Sequence, residues 1–429
     1  MEQKNVRTLT NSEKQRYWAE RFLEDMKKAI ALGGDEFRIV RKNGSKLEKV
    51  YTGGMENLVL IDRFIQEQLL NSKMNVLSAE RLSSYLVRFA GFVQKPFIEL
   101  TKKDIFDFLL TYQNMSEHTK AGVRRKLKPF FRWLGKTEIV KDLVCGVKNS
   151  KFPEILELQE IQKMIEVCEN HRDRALVSVF YDSGARLSEI LDLRIKDITF
   201  DEYGAVVIVS GKTGDRRLRL ISSVPDIKAW LNVHPRKNDS NAPLFCSFTS
   251  NNKGNPLNGG SLCVIFKNIA KNAGITKNVY PHLFRHSRAT HLAKFLKESE
   301  LRIFFGWAKG SPTVHLYNHL SGTDVEDKLL ALNGIKTGET QKPPIIPTNK
   351  CYRCSEINSI GNKFCWKCSA PLTDEGIKEA ERVKDFVGNI IPALLDNVRA
   401  MSSEDSEKLK AISEILKKEL GNNGKTHEK

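Results

Sequence analysis

The first third of the chain carries apolar residues at helical spacing, interrupted by short polar stretches. The pattern predicts a long amphipathic helix from about Ser12 to Leu32, then an irregular or strand-like stretch that ends near Gly54. Residues 56–136 repeat the helical pattern, and Thr101 is placed to cap the segment KKDIFDFLL. This part of the chain is therefore predicted to be mostly α-helical.

The helical pattern breaks near Gly146 and Pro153, and again in the proline-containing linker Gly334–Lys350. Between these breaks, AVVIVS at 205–210 and RRLRLI at 216–221 have the composition of two strands joined by a tight turn that contains glycine. Helical patterns surround the two strands. We therefore expect helices packed around a small sheet.

These breaks divide a chain of 429 residues, which is too long for one ordinary core, into five segments. The predicted segments are an N-terminal helical extension at 1–55, an all-α domain at 56–140, a mixed but mainly helical α/β domain at 155–333, a small cysteine-rich unit at 351–372 and C-terminal helices at 374–420. The fold class is therefore multidomain, with one all-α domain and one mixed α/β domain.

The composition of the chain indicates what kind of partner it binds. The formal net charge is +17, which favours a polyanion such as nucleic acid, because basic side chains that neutralise phosphates release counterions. Hydrophobic residues make up 40% of the chain, enough for globular cores. No run of 18 apolar residues is present, and the N-terminus lacks an apolar signal core, so no membrane segment and a cytoplasmic location are expected.

One predicted helix is unusually basic. The stretch Lys120–Lys136 holds seven basic residues and no acidic one, while its apolar residues can form a buried stripe. A solvated surface helix is the alternative, but such uncompensated charge favours contact with a DNA backbone. The residues predicted to contact DNA are Lys120, Arg124, Arg125, Lys128 and Arg132.

Four of the eight cysteines form two CxxC pairs, Cys351/Cys354 and Cys365/Cys368, with ten residues between the pairs. Such spacing can place four thiolates around one tetrahedral zinc ion, as in a zinc ribbon. Two disulfides or free thiols are the alternatives. Because every ligand is cysteine, we predict one structural zinc per chain with no open position for catalysis.

The residues with candidate chemistry occur in a fixed order along the second half of the chain. They are Arg186 in GARLSE, Lys212 in SGKTGD, His282 and Arg285 in HLFR, Trp307 in FGW, and Tyr317 in VHLYNHL. Each motif is weak alone, since an H-x-x-R arises by chance in many chains of this length. Their order, spacing and flanking residues together are hard to assemble by accident.

This constellation resembles the tyrosine recombinase (phage integrase) family over roughly residues 75–333. The resemblance implies a helical, SAM-like DNA-binding domain at 56–140 and a catalytic domain at 155–333, with all six residues above as the catalytic set. Trp307 stands where many members have histidine. The phrase YNHLSGTDVEDKLLALNGI, which begins at Tyr317, is more similar to archaeal integrases than to bacterial ones.

Physical chemistry supports these roles. Tyr317 would be the nucleophile, and the permanently charged forks of Arg186 and Arg285 suit the oxygens of a phosphorane-like state. His282 could act as acid–base or bind the phosphate. Trp307 could donate its indole N–H, and Lys212 could protonate the leaving 5′ oxygen.

The remaining histidine and tyrosine candidates are expected to have mainly structural roles. His286 and His291 are expected to pack or hydrogen-bond, with His286 able to support the site, and Tyr280 is a rival nucleophile with a more plausible structural role. His315 and His319 are expected at the surface or at an interface.

The implied activity is cleavage and rejoining of double-stranded DNA at specific sites through a 3′-phosphotyrosine, for integration or excision of a mobile element. No G-x-x-x-x-G-K-[ST] motif is present, which agrees with chemistry that needs neither ATP nor a catalytic metal. An Xer-like chromosome-dimer resolvase, a type IB topoisomerase and a non-enzymatic accessory factor are the alternatives. Exchange between two duplexes implies a homotetramer on DNA, and the resemblance implies that the segment Asp324–Gly334 docks on a neighbouring protomer. Because the cysteine unit follows a proline-containing linker, cleavage is expected to survive its loss.

Overall fold

The computed structural model describes residues 9–33, 36–40, 47–51, 54–71, 74–146, 154–211, 214–248, 253–311, 314, 317, 329–330, 333 and 345–399. The chain divides into two compact units, Met1–Phe152 and Pro153–Lys429.

The first unit is built from helices around an aromatic core. Its elements are α1 (Asn11–Ala31), β1 (Glu36–Val40), β2 (Leu47–Tyr51), α2 (Met55–Asn71), α3 (Val76–Val93), α4 (Lys102–Leu110) and α5 (Glu117–Trp133), with 3₁₀ turns at Phe97–Glu99 and Thr137–Ile139. Strands β1 and β2 form an antiparallel hairpin. Helix α1 begins with a capping box between Thr10 and Glu13, and α4 with one between Thr101 and Asp104, so the polar residues that flank the apolar stripes fix where the helices start.

Phenylalanine rings fill the centre of this unit. Phe89 lies edge-on to Phe108 with ring centroids 4.8 Å apart, and Phe64 packs against Phe130 at 5.3 Å. Such edge-to-face pairs add to the free energy gained by burying large apolar rings. The apolar stripe predicted for α5 is therefore its core face, since Leu127, Phe130 and Phe131 are fully buried.

The second unit surrounds a three-stranded sheet with helices. Its elements are α6 (Leu158–Glu166), α7 (His171–Ser183), α8 (Leu187–Leu191), β3 (Ile198–Asp201), β4 (Gly204–Gly211), β5 (Gly214–Leu220), α9 (Val224–Asn232), α10 (Gly259–Asn272), α11 (Pro281–Ala293), α12 (Glu298–Phe305), β6 (Thr348–Lys350), β7 (Ile357–Ser359) and α13 (Asp374–Arg399). The sheet is antiparallel in the order β3-β4-β5. Helix α7 is buried over almost its whole length and packs against α6, α9 and α11.

The cysteine-rich hairpin β6–β7 packs against helices α7 and α9 of this second unit. The hydroxyl of Ser359 donates to the buried carboxylate of Asp226 on α9 at 2.9 Å, and Arg174 on α7 donates to the same carboxylate at 3.0 Å. Arg174 also donates to the carbonyl of Ile360, and Lys228 pairs with Glu356 at 3.1 Å. Buried polar groups of this unit are thus satisfied by the hairpin, so the linker that precedes the hairpin does not separate it from α7 and α9.

Two further features differ from the sequence expectation or go beyond it. Strand β3 was not predicted, because of its four residues only Ile198 is buried and no apolar alternation is visible. The predicted helix at 374–398 corresponds to α13, whereas the predicted helix at 404–420 lies outside the described residues. Among the described residues, no helix combines the length and apolar character needed to cross a bilayer.

Candidate active site

Five of the six predicted catalytic residues come together at one place in the second unit. Arg186 begins α8, His282 and Arg285 lie on α11, and Trp307 and Tyr317 follow α12. Lys212 occupies the two-residue connection between the paired residues Gly211 and Gly214 and lies outside the described residues.

A glycine makes the first arginine's position possible. Gly184 ends α7 with φ +53°, a left-handed conformation that favours glycine. A Cβ on Gly184 would also lie only 2.5 Å from Cε1 of Phe305, so the α7–α8 junction packs directly on the end of α12. Arg186 follows two residues later as the N-cap of α8.

The guanidinium of Arg186 is held by two acceptors. Its Nη1 donates to Oε1 of Glu189 at 2.7 Å, and its Nη2 donates to the carbonyl of Gly306 at 2.9 Å. Its side chain remains 29% exposed, whereas the Glu189 side chain is fully buried. Arg186 is thus fixed from behind and open to solvent in front.

Glu189 is held by a second arginine as well. Arg216 on β5 donates from Nη1 and Nη2 to the two carboxylate oxygens at 2.6 and 2.7 Å, and from Nε to the carbonyl of Phe304 at 3.0 Å. Burial would raise the pKa of Glu189, but the hydrogen bonds and charges of Arg216 and Arg186 outweigh it and lower the pKa to about 2. The carboxylate is therefore ionised at any working pH.

Arg285 approaches the same loop from α11. Its Nη1 donates to the carbonyl of Gly184 at 2.9 Å, and its Nη2 donates to that of Phe305 at 2.6 Å. Burial, with the neighbouring charges of Arg186 and Arg216, lowers the pKa of Arg285 to about 9, so it stays charged at neutral pH. Like charges held this close favour an anion between them.

Tyr317 lies on an aromatic stack beside these cations. Its ring is parallel to Trp307 at 5.5 Å, and Trp307 stacks on Phe305 at 4.9 Å. Burial raises the pKa of Tyr317 to about 12, although the charge of Arg285 opposes this rise. The phenol is therefore protonated at neutral pH and needs a base to become a nucleophile.

His286 contacts that phenol directly. Its Nδ1 lies in short hydrogen-bond contact with the hydroxyl of Tyr317. Burial and the charge of Arg285 lower the pKa of His286, so the imidazole is neutral at neutral pH and Nδ1 can accept the proton. The His282 ring lies 4.5 Å from the His286 ring, and burial, His286 and Arg285 lower the pKa of His282 to about 4.

The other candidates take structural positions. His291 is hydrogen-bonded through Nδ1 to the hydroxyl of Tyr181 at 2.9 Å, and Tyr280 is the N-cap residue of α11. His315 and His319 lie outside the described residues.

The basic helix α5 shows two kinds of side chain. Arg125 and Arg132 are exposed. Lys120 and Arg124 reach Glu117 at 3.0 and 3.3 Å, and Lys128 donates to the carbonyls of Lys141 and Leu143. The charge of the helix is thus partly matched by Glu117, three residues before the start of the basic stretch.

The four cysteines of the two CxxC pairs face one another. Their sulfurs lie within 4.8 Å of each other, and the pairs Cys351/Cys368 and Cys354/Cys365 are each 3.6 Å apart. A tetrahedral zinc with bonds of about 2.3 Å separates its sulfurs by about 3.8 Å. The four thiols therefore fit a structural zinc ion.

Two residues of the site, Glu189 and Arg216, are not predicted from the sequence, and His286 is predicted only as a supporting group. A carboxylate three residues after Arg186 on a short helix was a usable signal, since i and i+3 share a face. The reach of Arg216 to Glu189 depends on tertiary packing and had no local signal.

Comparisons with known proteins agree with this geometry. A model of the phage integrase family matches residues 154–323. The chain is 30% identical over 241 residues to the tyrosine recombinase XerA of Pyrococcus furiosus, covering 54% of this chain and 82% of the relative. It is 28% identical over 214 residues to the tyrosine recombinase XerD of Bifidobacterium longum, covering 45% and 69%. A solved structure of the Tn1549 transposon integrase in complex with circular intermediate DNA is similar in fold, with a TM-score of 0.50, 19% identity and coverage of 64% of this chain and 98% of that one.

Proposed function

The chain belongs to the phage integrase family of tyrosine recombinases, which break and rejoin DNA, and on that premise we propose that Tyr317 is the residue that bonds covalently to DNA. The observation that carries this assignment is the position of its hydroxyl. The Tyr317 hydroxyl contacts His286, the Tyr317 ring stacks on Trp307, and the charge of Arg285 lowers the pKa of the phenol against the effect of burial. Nucleophile, base and phosphate-binding cation are thereby assembled in one pocket.

In the proposed cleavage step, one P–O bond is exchanged for another. The Tyr317 oxygen attacks the scissile phosphorus and forms a P–O bond, while the bond from phosphorus to the 5′ oxygen breaks. The phenol proton passes to Nδ1 of His286, and a general acid protonates the leaving 5′ oxygen. Lys212 remains the candidate for that acid by its place in the sequence. Attack by the 5′-hydroxyl of another strand reverses these transfers and releases Tyr317, so no ATP is needed.

The arginines supply the charge that this step requires. As the phosphorus becomes five-coordinate, negative charge grows on its equatorial oxygens, and donors held in place beforehand stabilise that charge without reorganising. Arg186 and Arg285 are anchored through backbone carbonyls of the Gly184 and Phe305–Gly306 loops. We propose that both face the scissile phosphate, with neutral His282 and the Trp307 indole as further hydrogen-bonding groups.

We predict that Tyr317→Phe abolishes covalent capture of DNA. The variant keeps the ring stack on Trp307 but lacks the attacking oxygen, so binding to a nicked suicide duplex should persist while the protein–DNA adduct disappears from a denaturing gel. Tyr280→Phe is the matched control and should still form the adduct. An adduct that persists in Tyr317→Phe and vanishes in Tyr280→Phe would contradict the assignment.

We predict that His286→Gln slows cleavage by about 10²- to 10⁴-fold, the range of a lost general base. The base must be neutral, and its pKa lies below the ordinary value of 6.5, so wild-type cleavage should stay level down to about that pH and fall only below it. The variant should lose this acid limb. The rate of single-turnover cleavage against pH measures both effects.

His291→Gln is the matched control, because His291 is on the same helix but bonds Tyr181 rather than Tyr317. It should keep the wild-type pH profile. An unchanged profile in His286→Gln would mean that another group takes the proton.

The proposed substrate is double-stranded DNA with specific recombination sites. The net charge of +17 and the exposed Arg125 and Arg132 on α5 support backbone contacts by the first unit, which we propose as the DNA-binding domain. Lys120, Arg124 and Lys128 are proposed as weaker contacts, since intramolecular acceptors already hold them.

For the biological role we propose integration or excision of a mobile element. The name of the similar transposon integrase supports it, whereas the Xer names of the curated relatives favour resolution of chromosome dimers as a second candidate. Mapping the DNA that is cleaved in cells separates the two, because the first role requires an element boundary and the second a chromosomal site.

We propose a tetramer on DNA, since exchange between two duplexes requires two cleaved strands to be held together and four protomers are the natural count for two double-stranded partners. Leu329 lies in the segment expected to dock on a neighbour and is 55% exposed. Leu329→Asp should therefore spare the monomer's fold and single-site binding but reduce strand exchange between two sites by more than about tenfold, the effect of placing a charge in an apolar interface. The control is Leu70→Asp, at an exposed leucine of the first unit. Full exchange by Leu329→Asp, or site-independent relaxation of supercoils by a monomer, would favour a topoisomerase.

We propose that the four ribbon cysteines hold one structural zinc, and we predict that Cys365→Ser loses it on elemental analysis. Because Ser359 and Ile360 of the hairpin satisfy Asp226 and Arg174, loss of the metal should also lower the melting temperature of the second unit and slow cleavage. Cys263→Ser, outside the ribbon, should keep the zinc. A zinc-free protein that melts unchanged would contradict the proposal.

A further inference from the structure

Arg216 occupies an unusual position for a strand arginine. Its side chain is only 8% exposed, and it donates with all three kinds of guanidinium nitrogen: Nη1 and Nη2 to Glu189, and Nε to the carbonyl of Phe304. The next residue, Arg217, points to the opposite face of β5 and is exposed. Arg216 is therefore directed inward, behind the pocket that contains Arg186 and Arg285.

The charges behind the pocket show what this arginine changes. Arg186, Arg216 and Arg285 carry three positive charges and Glu189 one negative charge, which leaves a net +2. Without Arg216 the same groups would carry only +1, and the carboxylate would be paired with Arg186 alone. Its field would then oppose the charge that Arg186 offers to a phosphate.

The geometry agrees with Arg216 balancing the charge of Glu189 while Arg186 is left to bind a phosphate. Arg216 engages both carboxylate oxygens of Glu189 in a fork, the strongest arrangement for such a pair. Arg186 takes a single guanidinium bond to Oε1 and a backbone bond to Oε2, so Glu189 orients it without matching its charge. Gly211 on β4 leaves the room for this cluster, since a Cβ there would lie 2.4 Å from Oε1 of Glu189.

We infer that Arg216 is a positioning residue for DNA cleavage. It balances the charge of Glu189 and fixes that carboxylate, so that Arg186 meets the scissile phosphate with its full positive charge. The inference rests on the proposed roles of Tyr317, Arg186 and Arg285, and it adds a residue that does not itself touch the DNA.

The test compares two substrates in single-turnover cleavage by the full-length protein. One suicide duplex has a normal scissile phosphate, and the other has a neutral methylphosphonate that develops less charge on its oxygens. Arg216→Met should slow cleavage of the phosphate by about 10²-fold or more, the scale of one lost charge-stabilising contact, and that of the methylphosphonate by less than about tenfold. Arg216→Lys should recover part of the loss, and the control Arg217→Met should behave like the wild type.

A double variant keeps the inference falsifiable if Arg216→Met folds poorly. Glu189→Gln with Arg216→Met removes one charge of each sign and restores the net +2, so it should recover cleavage of the phosphate to within about tenfold of the wild type. Equal losses on both substrates, or no recovery in a folded double variant, would assign Arg216 a purely structural role and overturn the inference.

The failure of the proposed function gives a different result. If Arg186→Ala and Tyr317→Phe both cleave the phosphate substrate normally, the site itself is misassigned. If they fail while Arg216→Met cleaves normally, only the role of Arg216 is wrong.

Discussion

The pairing of buried Glu189 with two arginines is the interaction on which the rest of the site depends. An ionised carboxylate in a protein interior is costly unless charged donors surround it, and here Arg216 and Arg186 meet that requirement from two different elements. One cluster thereby joins strand β5, the start of α8 and the carbonyl at the end of α12. Because the loop after α12 leads to Trp307, the same cluster also helps to position the ring on which Tyr317 stacks.

Much of the fold was predictable from the sequence, because its helices and strands have local signatures. The cap at Thr101 and the glycine-containing turn after β4 mark where elements begin and end. The catalytic assignment did not come from these local signals. It came from the order and spacing of motifs such as GARLSE and HLFR, which indicated a family whose membership the comparisons confirm.

What could not be predicted depends on contacts distant in sequence. His286 was given a supporting role because its position on α11 does not show that Nδ1 meets Tyr317, 31 residues later. The packing of the cysteine-rich hairpin could not be predicted for a similar reason. A proline-containing linker indicates separation, yet Ser359 of the hairpin donates to the buried carboxylate of Asp226, and no pattern around Asp226 reveals that contact.

The electrostatics of the pocket also link DNA binding to the readiness of the nucleophile. Burial and then the charge of Arg285 lower the pKa of His286, so both weaken the group proposed to accept the proton of Tyr317. A phosphate anion seated between Arg186 and Arg285 offsets that charge and makes a protonated imidazole easier to form. Tyr317, whose pKa burial raises to about 12, stays protonated until then. Arg285 lowers the pKa of both the proposed base and the phenol, so a phosphate bound beside it would make His286 a stronger base and would also raise the pKa of Tyr317.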